Sequence, residues 1–331
     1  MGFELGHVAF EYGLCLGPMA GYSDRAMRVI CHREGAEYTV SEMVSAKAIC
    51  YRDKKTAPLA RIGEDEGPTA VQIFGSDPAF MAEAAKMIED GFAGGVKPIA
   101  IDINMGCPVH KIVSNGEGSA LMKQPLLVER IVSAVCGAVS LPVSVKIRAG
   151  WDVDHLNAPE VARACEAGGA SLLTVHGRTR MQMYAGEADY GIIEEVVHAV
   201  SVPVVGNGDV RTAEQCRQLY DLGCRGVMIA RGAVGDPFVF SRLRAALSGE
   251  EYREPTLKEK LAVAAEQVRL AAADKGESVA VREARKQLAA YLHGRRGAAS
   301  LRLAINGAQT LEEIDALLLR AEALDTHAPL S

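Results

Sequence analysis

The sequence predicts a (β/α)8 TIM barrel followed by a small domain built only of helices. Eight short apolar runs, several rich in Val and Ile, alternate with helical stretches up to residue 249, and this alternation is typical of a parallel sheet covered by helices. Beyond residue 250 the pattern is helical and contains no strand-like run. We therefore expect a barrel domain over 1–249 and a helical domain over 250–331.

The predicted strands are too short to be helices. In chain order they are Leu14–Gly17, Tyr38–Met43, Ala70–Gly75, Ile99–Asn104, Val143–Ile147, Leu172–His176, Val202–Gly206 and Gly226–Ala230. The helices predicted between them carry apolar residues at helical spacing, and several end at a glycine cap: Asp24–Glu34, Pro78–Asp90, Pro125–Ala138, Ala158–Ala167, Asp189–Val200, Ala213–Leu222 and Pro237–Leu247. The alternative is an open doubly wound sheet, but the eight strands and the lack of a G-x-G-x-x-G turn after the first strand favour the barrel.

The C-terminal segment predicts four further helices: Thr256–Ala273, Val279–Leu292, Ala298–Ile305 and Thr310–Glu322. Basic residues concentrate between positions 282 and 302, where a single acidic residue, Glu283, opposes them. They are Arg282, Arg285, Lys286, Arg295, Arg296 and Arg302. This local positive charge is the best nucleic-acid signal in the chain, and its alternative interpretation is a solvated helix face.

The composition is that of an ordinary globular protein, with 49% hydrophobic and 24% charged residues. A formal charge of −6 argues against a protein that coats nucleic acid without selectivity, so any RNA site must be a local patch. The 8 cysteines form no C-x-x-C pair and no histidines cluster at zinc spacing, so we expect reduced thiols and no metal. Without a visible targeting signal or membrane-length apolar run, we expect a cytoplasmic protein with no membrane partner.

Polar residues mark the ends of nearly all predicted strands. In a barrel, the carboxyl ends of the strands and the loops after them form the catalytic face. These ends hold Pro18-Met19-Ala20, Glu42, Gln72, Asn104, Lys146, His176, Asn207-Gly208-Asp209 and Ala230-Arg231-Gly232. A lone polar residue here could simply satisfy a buried neighbour, but so many together predict one shared polar site.

The ends of the seventh and eighth strands predict a phosphate site. Asn207-Gly208-Asp209 and Ala230-Arg231-Gly232 lie where barrels commonly hold a phosphate on backbone N–H groups, and Arg231 adds a positive charge. Lys146 and His176 project toward the same ligand as a fixed cation and a hydrogen-bond donor, which suit a ring that is anionic when reduced. Taken alone, the glycines could be turn residues and His176 a satisfied core histidine.

Cys107 is the one thiol that the sequence places for chemistry. It lies in Asn104-Met105-Gly106-Cys107-Pro108, just beyond the fourth strand, in a turn that would display it over the barrel mouth. A thiol in that position can act as an acid or a nucleophile. The other seven cysteines lie in helical or strand patterns, and we expect them to pack as small apolar groups.

These motifs resemble the signature of the tRNA-dihydrouridine synthases, flavoenzymes built on a barrel with a helical tail. The most specific match is Ile101-Asp102-Ile103-Asn104-Met105-Gly106-Cys107-Pro108 followed by Gly118-Ser119-Ala120-Leu121. Further matches follow in family order: Pro18-Met19-Ala20-Gly21, Ser41-Glu42-Met43-Val44, Val71-Gln72-Ile73-Phe74-Gly75, Val145-Lys146-Ile147-Arg148, His176-Gly177-Arg178-Thr179 with Tyr184-Ala185-Gly186, and Asn207-Gly208-Asp209. The resemblance covers the barrel and continues into the tail through Val281-Arg282-Glu283-Ala284-Arg285-Lys286, which is similar to the bacterial B-type branch.

The resemblance implies that FMN lies across the barrel mouth. The residues that would hold it are Pro18, Met19, Ala20, Gln72, Lys146, His176, Asn207, Gly208, Asp209, Ala230 and Arg231. It further implies that NADPH reduces the flavin, that hydride passes to C6 of a flipped-out uridine in the tRNA D-loop, and that Cys107 gives a proton to C5. Asn104 would hold the uracil. Cations expected to meet tRNA phosphates are Lys111, Arg178 and Arg180 at the mouth and Arg282, Arg285, Lys286, Arg295 and Arg296 in the tail. We expect a monomer.

Four residues depart from the B-type pattern. Ala230 stands where relatives commonly have Gly, Tyr190 where many have Trp, Asp236 where a basic or amide residue is frequent, and Gln287 where His is common. None touches the expected chemistry, but Asp236 would repel an RNA phosphate passing nearby.

Two alternative functions remain open. One is an FMN barrel enzyme acting on a free small molecule, such as a dihydroorotate dehydrogenase-like or ene-reductase-like enzyme, and the helical tail and the Cys107 loop disfavour it. The other is a non-catalytic tRNA-binding protein that keeps the barrel as a platform. The presence of Cys107, Lys146 and His176 together disfavours this second alternative.

Overall fold

Parallel strands close into a barrel at the centre of the molecule. The computed structural model describes residues 1–295 and 297–326. Its strands are β1 (Phe3–Leu5), β2 (Val8–Phe10), β3 (Leu14–Leu16), β4 (Tyr38–Val40), β5 (Val44–Ser45), β6 (Thr69–Phe74), β7 (Ala100–Asn104), β8 (Val143–Arg148), β9 (Leu172–His176), β10 (Val204–Asn207) and β11 (Gly226–Ile229). Neighbours in the ring follow the order β4, β3, β11, β10, β9, β8, β7 and β6, and the pairing of β6 with β4 closes it.

Within the described residues, the barrel has the eight strand positions that the sequence predicts. The second position is divided, because β4 and β5 both pair with β6 while residues 41–43 leave the ladder. At the other positions, the observed ends lie within two residues of the predicted ones. The prediction of a (β/α)8 barrel is confirmed.

Helices cover the barrel and continue beyond it. They are α1 (Arg25–Arg33), α2 (Ala46–Cys50), α3 (Ala57–Ala60), α4 (Pro78–Glu89), α5 (His110–Val113), α6 (Pro125–Ala138), α7 (Ala158–Ala167), α8 (Tyr190–Ala199), α9 (Ala213–Asp221), α10 (Val239–Ser248), α11 (Leu257–Lys275), α12 (Glu277–Tyr291), α13 (Ala298–Gly307) and α14 (Leu311–Thr326). Local signals set several starts. The carboxylate of Asp24 accepts from the backbone N–H of Met27 at 3.0 Å, and Thr256 and Glu259 form a capping box at α11. The short helices α2, α3 and α5 were not predicted, since one turn carries too little periodicity.

Successive residues of each barrel strand point alternately inward and outward. In β8, Val145 and Ile147 belong to the apolar layer beneath the helices. Inside the barrel, Ser144 instead bonds to a residue of the neighbouring β7, and Lys146 bonds to a residue of β10, two strands away. The outward positions of β8 are apolar because they pack beneath the helices, and its inward positions near the carboxyl end carry the polar side chains.

An N-terminal hairpin closes the amino end of the barrel. β1 and β2 pair antiparallel, and Phe3 and Phe10 pack with residues at the starts of the barrel strands. Their rings lie 6.3 and 5.6 Å from the ring of Tyr38. These two strands were not predicted, because runs of three residues are too short to show a period. The carboxyl end is thus the face of the barrel that remains for a ligand.

The C-terminal helices α11–α14 share an apolar core that includes Leu261, Leu288 and Leu318. They also pack against the barrel, where Ala26 of α1 contacts Ala271 of α11. The four helices predicted from the sequence are present, with ends within four residues of the predicted ones. Among the helices of the described residues, none combines the length and apolar character needed to span a bilayer.

The predicted boundary between residues 249 and 250 falls at the end of α10. Gly249 adopts φ 80°, the left-handed conformation in which a glycine commonly ends a helix. Residues 250–256 then lead to α11. The division into two independent domains stays a prediction.

Candidate active site at the barrel mouth

The carboxyl ends of five neighbouring strands place polar side chains around one opening. By register, Asn104 lies beside Lys146 and His176 lies beside Asn207. Nδ2 of Asn104 donates to Oε1 of Gln72 at 2.8 Å, and Nζ of Lys146 donates to Oδ1 of Asn207 at 3.1 Å. The structure therefore brings together these residues from β6, β7, β8, β9 and β10.

The loop after β7 presents Cys107 and is held from two sides. Oδ1 of Asn104 accepts from the backbone N–H groups of Gly106 and Cys107 at 3.2 and 2.9 Å. Oγ of Ser119 donates to the carbonyl of Cys107 at 2.9 Å. Gly118, with φ +59°, passes so close that a Cβ there would lie 2.8 Å from the same carbonyl oxygen. A glycine is required at this contact, and it sets the backbone of Cys107.

The thiol of Cys107 is half-buried at this mouth. Burial raises the pKa of Cys107, against the opposing effects of the Val109 backbone N–H and the positive charge of Arg148. The thiol therefore keeps its proton at neutral pH, as a general acid must.

Arg148, at the end of β8, ties the loop after β7 to the loop after β9. It is buried, and its Nε donates to the carbonyl of Gly106 at 2.7 Å. Nη1 donates to the carbonyls of Thr179 and Met183 at 2.9 and 2.8 Å. Burial lowers the pKa of Arg148 to about 10, so it remains charged at neutral pH. Arg148 was not predicted as a site residue, although its inward position two residues after Lys146 was a usable signal.

His176 is buried and Lys146 is half-buried, and both lie among positive charges. Burial, followed by the charge of Arg148, lowers the pKa of Lys146 to about 7, against the attraction of Asp102. Burial also lowers the pKa of His176, with further lowering from the neighbouring cations, so the imidazole is neutral. Nη1 of Arg178 lies 3.4 Å from Nε2 of His176. Because a guanidinium only donates, Nε2 accepts and the ring proton is on Nδ1.

The turns after β10 and β11 have close backbone contacts that exclude larger residues. Gly208 has φ +135°, and a Cβ there would lie 2.5 Å from the Cβ of Ala188. A Cβ on Gly232 would lie 2.8 Å from the carbonyl oxygen of Val210. The hydroxyl of Tyr190, one of the departures, donates to the carbonyl of Gly208 at 2.8 Å. Tight glycine turns of this kind can offer backbone N–H groups to an anion.

Arg178 is buried beneath the mouth and is not exposed on its rim. Its Nη1 and Nη2 donate to the two carboxylate oxygens of Asp209 at 2.9 and 2.7 Å. Nε donates to the carbonyl of Ala185 at 3.1 Å, and Nη2 also donates to the carbonyl of Gly186. With the imidazole contact, each of its five N–H groups faces an acceptor. These contacts use its donors inside the protein, which disfavours the expected contact of Arg178 with an RNA phosphate, and that contact stays a prediction.

Arg231 adds a second guanidinium to this turn. It is half exposed, and its Nη2 donates to Oδ1 of Asp209 at 3.2 Å. Burial alone would raise the pKa of Asp209, but hydrogen bonds from Arg178 and the Ala188 backbone outweigh it and the pKa is lowered. Two guanidinium groups thus oppose one carboxylate, and the turn keeps a net positive charge.

The rim of the mouth carries further cations, two of which contact the only tryptophan. Lys111 is exposed on α5, which follows the loop of Cys107. The guanidinium of Arg180 lies 4.9 Å from the centre of the Trp151 ring, and Nζ of Lys123 lies 3.3 Å from it. Trp151 and Lys123 were not predicted, because a single residue in a loop carries no periodic signal.

Lys286 of the C-terminal helices lies beside the first loop of the mouth, which contains Pro18, Met19 and Ala20. Its Nζ is 4.4 Å from the centre of the Tyr22 ring, and a Cβ on Gly21 would lie 2.7 Å from it. Nε2 of Gln287 donates to the carbonyl of Tyr22 at 3.1 Å. The departure at Gln287 thus attaches α12 to this loop.

The other basic residues of the tail are placed differently. Arg282 is exposed on α12. Nη2 of Arg285 donates to the carbonyl of Ala308 at 3.1 Å, so this side chain is engaged with the end of α13. Arg295 is half-buried after α12, and Arg296 lies outside the described residues.

The two remaining departures follow β11 in the chain. Ala230 joins β11 to a short 3-10 turn with φ −119° and ψ −93°. The carboxylate of Asp236 pairs with Arg242 at 3.0 Å, so its charge is compensated within the protein. Over residues 1–295 and 297–326, no three His, Cys, Asp or Glu side chains converge as they would around a metal ion.

The chain is similar to several known proteins over most of its length. It is 42% identical over 304 residues to the probable tRNA-dihydrouridine synthase of Treponema pallidum, covering 89% of this chain and 88% of that protein. It is 40% identical over 306 residues to tRNA-dihydrouridine synthase B of Pseudomonas putida, covering 92% and 89%. It is 37% identical over 327 residues to the B enzyme of Vibrio parahaemolyticus, covering 98% of each.

Among solved structures, the old yellow enzyme homologue from Zymomonas mobilis has a TM-score of 0.53 at 12% identity, covering 78% of this chain and 95% of that one. This likeness concerns the barrel fold alone. The family model described as Dihydrouridine synthase (Dus) matches residues 15–327. The match begins in the first barrel strand and runs through the C-terminal helices, and the chain therefore belongs to the dihydrouridine synthase family.

Proposed function

We propose that this protein is a flavin-dependent tRNA-dihydrouridine synthase that reduces the C5–C6 double bond of uridines in the tRNA D-loop, with NADPH as reductant. The observation that carries the proposal is the side chain of Asn104. It bonds to Gln72 inside the barrel and to the backbone of Cys107 above it, so an amide and a protonated thiol face one opening. The names of the relatives that are similar over most of the chain agree with this chemistry.

The residues at the mouth fit FMN. The tight turns at Gly208 and Gly232 suit a phosphate, because Arg231 and its neighbours give them a net positive charge. The sequence motifs offer no comparable second site for an adenosine phosphate. Asn207 and Asp209 flank Gly208 in the first of these turns, and Ala230 belongs to the second. Lys146 and the Nδ1–H of His176 would meet the polar edge of the ring, and Gln72 with Pro18, Met19 and Ala20 would line its remaining sides. When bound, reduced FMN supplies the hydride.

Cys107 and Asn104 act on the substrate in this proposal. Nδ2 of Asn104 has two N–H groups, of which one is used by Gln72 and the other faces only the weak acceptor Sδ of Met43 at 3.7 Å. A uracil carbonyl would replace that sulfur. The protonated thiol of Cys107 then gives its proton to C5.

Access to the mouth requires that the uridine leave the folded tRNA. Lys111 and Arg180 at the rim, with Arg282 and Lys286 on α12, would contact the phosphates. We propose that residues 1–249 carry the catalysis and that residues 250–331 bind tRNA. Because the proposed substrate is tRNA, we propose that the enzyme acts in the cytoplasm. We also propose a monomer, because one chain holds all of the proposed site.

The proposal is tested by incubating the purified protein with unmodified tRNA and NADPH and measuring dihydrouridine by mass spectrometry. We expect dihydrouridine at D-loop positions. Reduction of a free pyrimidine or enone with no product in tRNA would instead support a small-molecule oxidoreductase. Tight tRNA binding with no turnover of either substrate would support a non-catalytic binding protein.

The purified protein should be yellow and should release FMN, not FAD, on denaturation. Arg231→Ala should weaken FMN binding by roughly 10- to 150-fold, because it removes a charge-assisted contact to the phosphate. Arg225→Ala is the matched control, since Arg225 is exposed at the opposite end of β11. Fluorescence titration of the apoprotein with FMN measures both. A protein that cannot be reconstituted with FMN would exclude the flavin, and equal losses in both variants would exclude the cradle.

Lys286→Gln and Arg282→Gln should each reduce the salt dependence of tRNA binding by about one unit in the slope of log K against log salt. Lys286 lies beside the mouth, and Arg282 is exposed on the same helix. Arg320→Gln serves as the control, because Arg320 is exposed on α14, away from the basic stretch in sequence. If the control lowers the slope equally, or if the α12 variants leave it unchanged, the basic stretch is only a solvated surface.

A further inference from the structure

Asp102 lies in the middle of β7 with its side chain inside the barrel, and it is 2% exposed. By register, it stands between Gln72 of β6 and Ser144 of β8. Nε2 of Gln72 donates to Oδ2 of Asp102 at 2.6 Å, and Oγ of Ser144 donates to Oδ1 at 2.5 Å. The hydroxyl of Tyr38 lies 3.4 Å from Oγ of Ser144. Both carboxylate oxygens of this buried group are therefore used as acceptors.

A carboxylate cannot donate, so it decides which end of the Gln72 amide faces it. Nε2 turns to Asp102, and Oε1 is left to face Asn104. Asn104 must then present its Nδ2 to Gln72, at 2.8 Å, which leaves its Oδ1 for the backbone N–H of Cys107 at 2.9 Å. Each amide in this series has its direction set by the one before it. The series begins at the carboxylate of Asp102, which can only accept hydrogen bonds.

We propose that Asp102 is a positioning residue whose carboxylate, acting through Gln72 and Asn104, orients the uracil-binding amide and the loop of Cys107. This inference rests on the proposed function, because it assigns a role toward that reaction. Asp102 was not predicted as a site residue, since the prediction rested on strand ends and Asp102 lies two positions before the end of β7.

The electrostatics are consistent with an acceptor at this position. Burial raises the pKa of Asp102 to about 6, against hydrogen bonds from Ser144 and Gln72 and the charge of Lys146. In mildly alkaline buffer the group is a carboxylate. An amide at the same position could offer either oxygen or nitrogen, so Gln72 and then Asn104 could reverse, and a reversed Asn104 would turn an N–H toward the N–H of Cys107.

Asp102→Asn should slow tRNA-dependent reoxidation of the reduced flavin by roughly 5- to 150-fold in single-turnover mixing, the effect of one donor left without its acceptor. Reduction of the flavin by NADPH is measured beside it, and we expect it to change less than this step, because it uses neither Asn104 nor Cys107. Ser144→Ala is the matched control: it also removes a hydrogen bond to Asp102 but leaves the direction of Gln72 unchanged. We expect the control to react within about twofold of the parent.

The double variant Gln72→Glu/Asp102→Asn distinguishes an effect of hydrogen-bond direction from an effect of altered side-chain packing. Its carboxylate, moved to position 72, accepts from both neighbours, so Asn104 keeps its orientation while net charge and side-chain size are preserved. We expect Gln72→Glu alone to be slow, because two carboxylates then adjoin, and the double variant to recover at least tenfold over either single variant. FMN content is measured for each so that rates refer to the loaded enzyme.

Several outcomes would overturn the inference. They are Asp102→Asn at the parent rate, Ser144→Ala as slow as Asp102→Asn, or a folded, FMN-loaded double variant without recovery. If Asp102→Asn does not fold, the double variant alone decides, since the inference requires it to react faster than Gln72→Glu. A parent protein that forms no dihydrouridine contradicts the proposed function instead, so the two failures are distinct.

Discussion

Replacing Cys107 with alanine should slow the formation of dihydrouridine in tRNA by roughly 10²- to 10⁴-fold, the usual contribution of a positioned general acid. Hydride addition at C6 leaves negative charge on the uracil, and C5 then needs a proton. The half-buried thiol has a raised pKa and holds that proton at neutral pH. Single-turnover mixing of reduced enzyme with unmodified tRNA, followed by mass spectrometry of the tRNA, measures this step.

Two comparisons make the result specific to Cys107. FMN binding and NADPH oxidation should stay at parent levels in Cys107→Ala. Cys136→Ala is the matched control, because Cys136 is also half-buried with a raised pKa but lies in α6 on the outside of the barrel. If Cys107→Ala yields dihydrouridine at the parent rate, the acid is another group at the mouth.

Arg178→Leu should lower the free energy of unfolding by about 3 kcal/mol, near the lower end of the range for removing one partner of a buried ion pair. The lower end applies because the Asp209 side chain is 33% exposed, whereas that of Arg178 is 2% exposed. The substitution removes the bidentate partner of Asp209, whose carboxylate then keeps only Arg231 and one backbone N–H. It also leaves the carbonyls of Ala185 and Gly186 without their donor. Chemical denaturation of parent and variant, both with FMN removed, measures the difference.

Arg180→Leu is the control for this prediction, since Arg180 lies two residues later and stacks on Trp151 at the rim. We expect it to cost about 1 kcal/mol or less, and to reduce the salt dependence of tRNA binding. Because the pKa of Asp209 is lowered, its contribution with Arg178 is present at neutral pH and fades only in strong acid. If Arg178→Leu is as stable as the parent but loses tRNA affinity, the side chain binds RNA after all.

Local sequence patterns were sufficient to predict most of the fold. Strand runs such as Leu172–His176 combine β-branched or apolar residues with a length that excludes helices, and their alternation with capped helices leaves few topologies. The same reasoning located the polar mouth, because in a barrel the carboxyl ends of all strands meet on one face. The Gly-Cys-Pro turn at Cys107 could also be predicted, because turns are specified by adjacent residues.

Long-range contacts decided what those residues do. Arg178 and Arg180 are equivalent in a sequence motif, yet Arg178 is buried on Asp209, 31 positions away, while Arg180 lies at the rim. Asp102 became informative once the strand register placed it between Gln72 and Ser144. The physical reason is that the periods of strands and helices arise from neighbouring residues, whereas the partner of a buried donor depends on register and loop closure across the barrel, which no local pattern encodes.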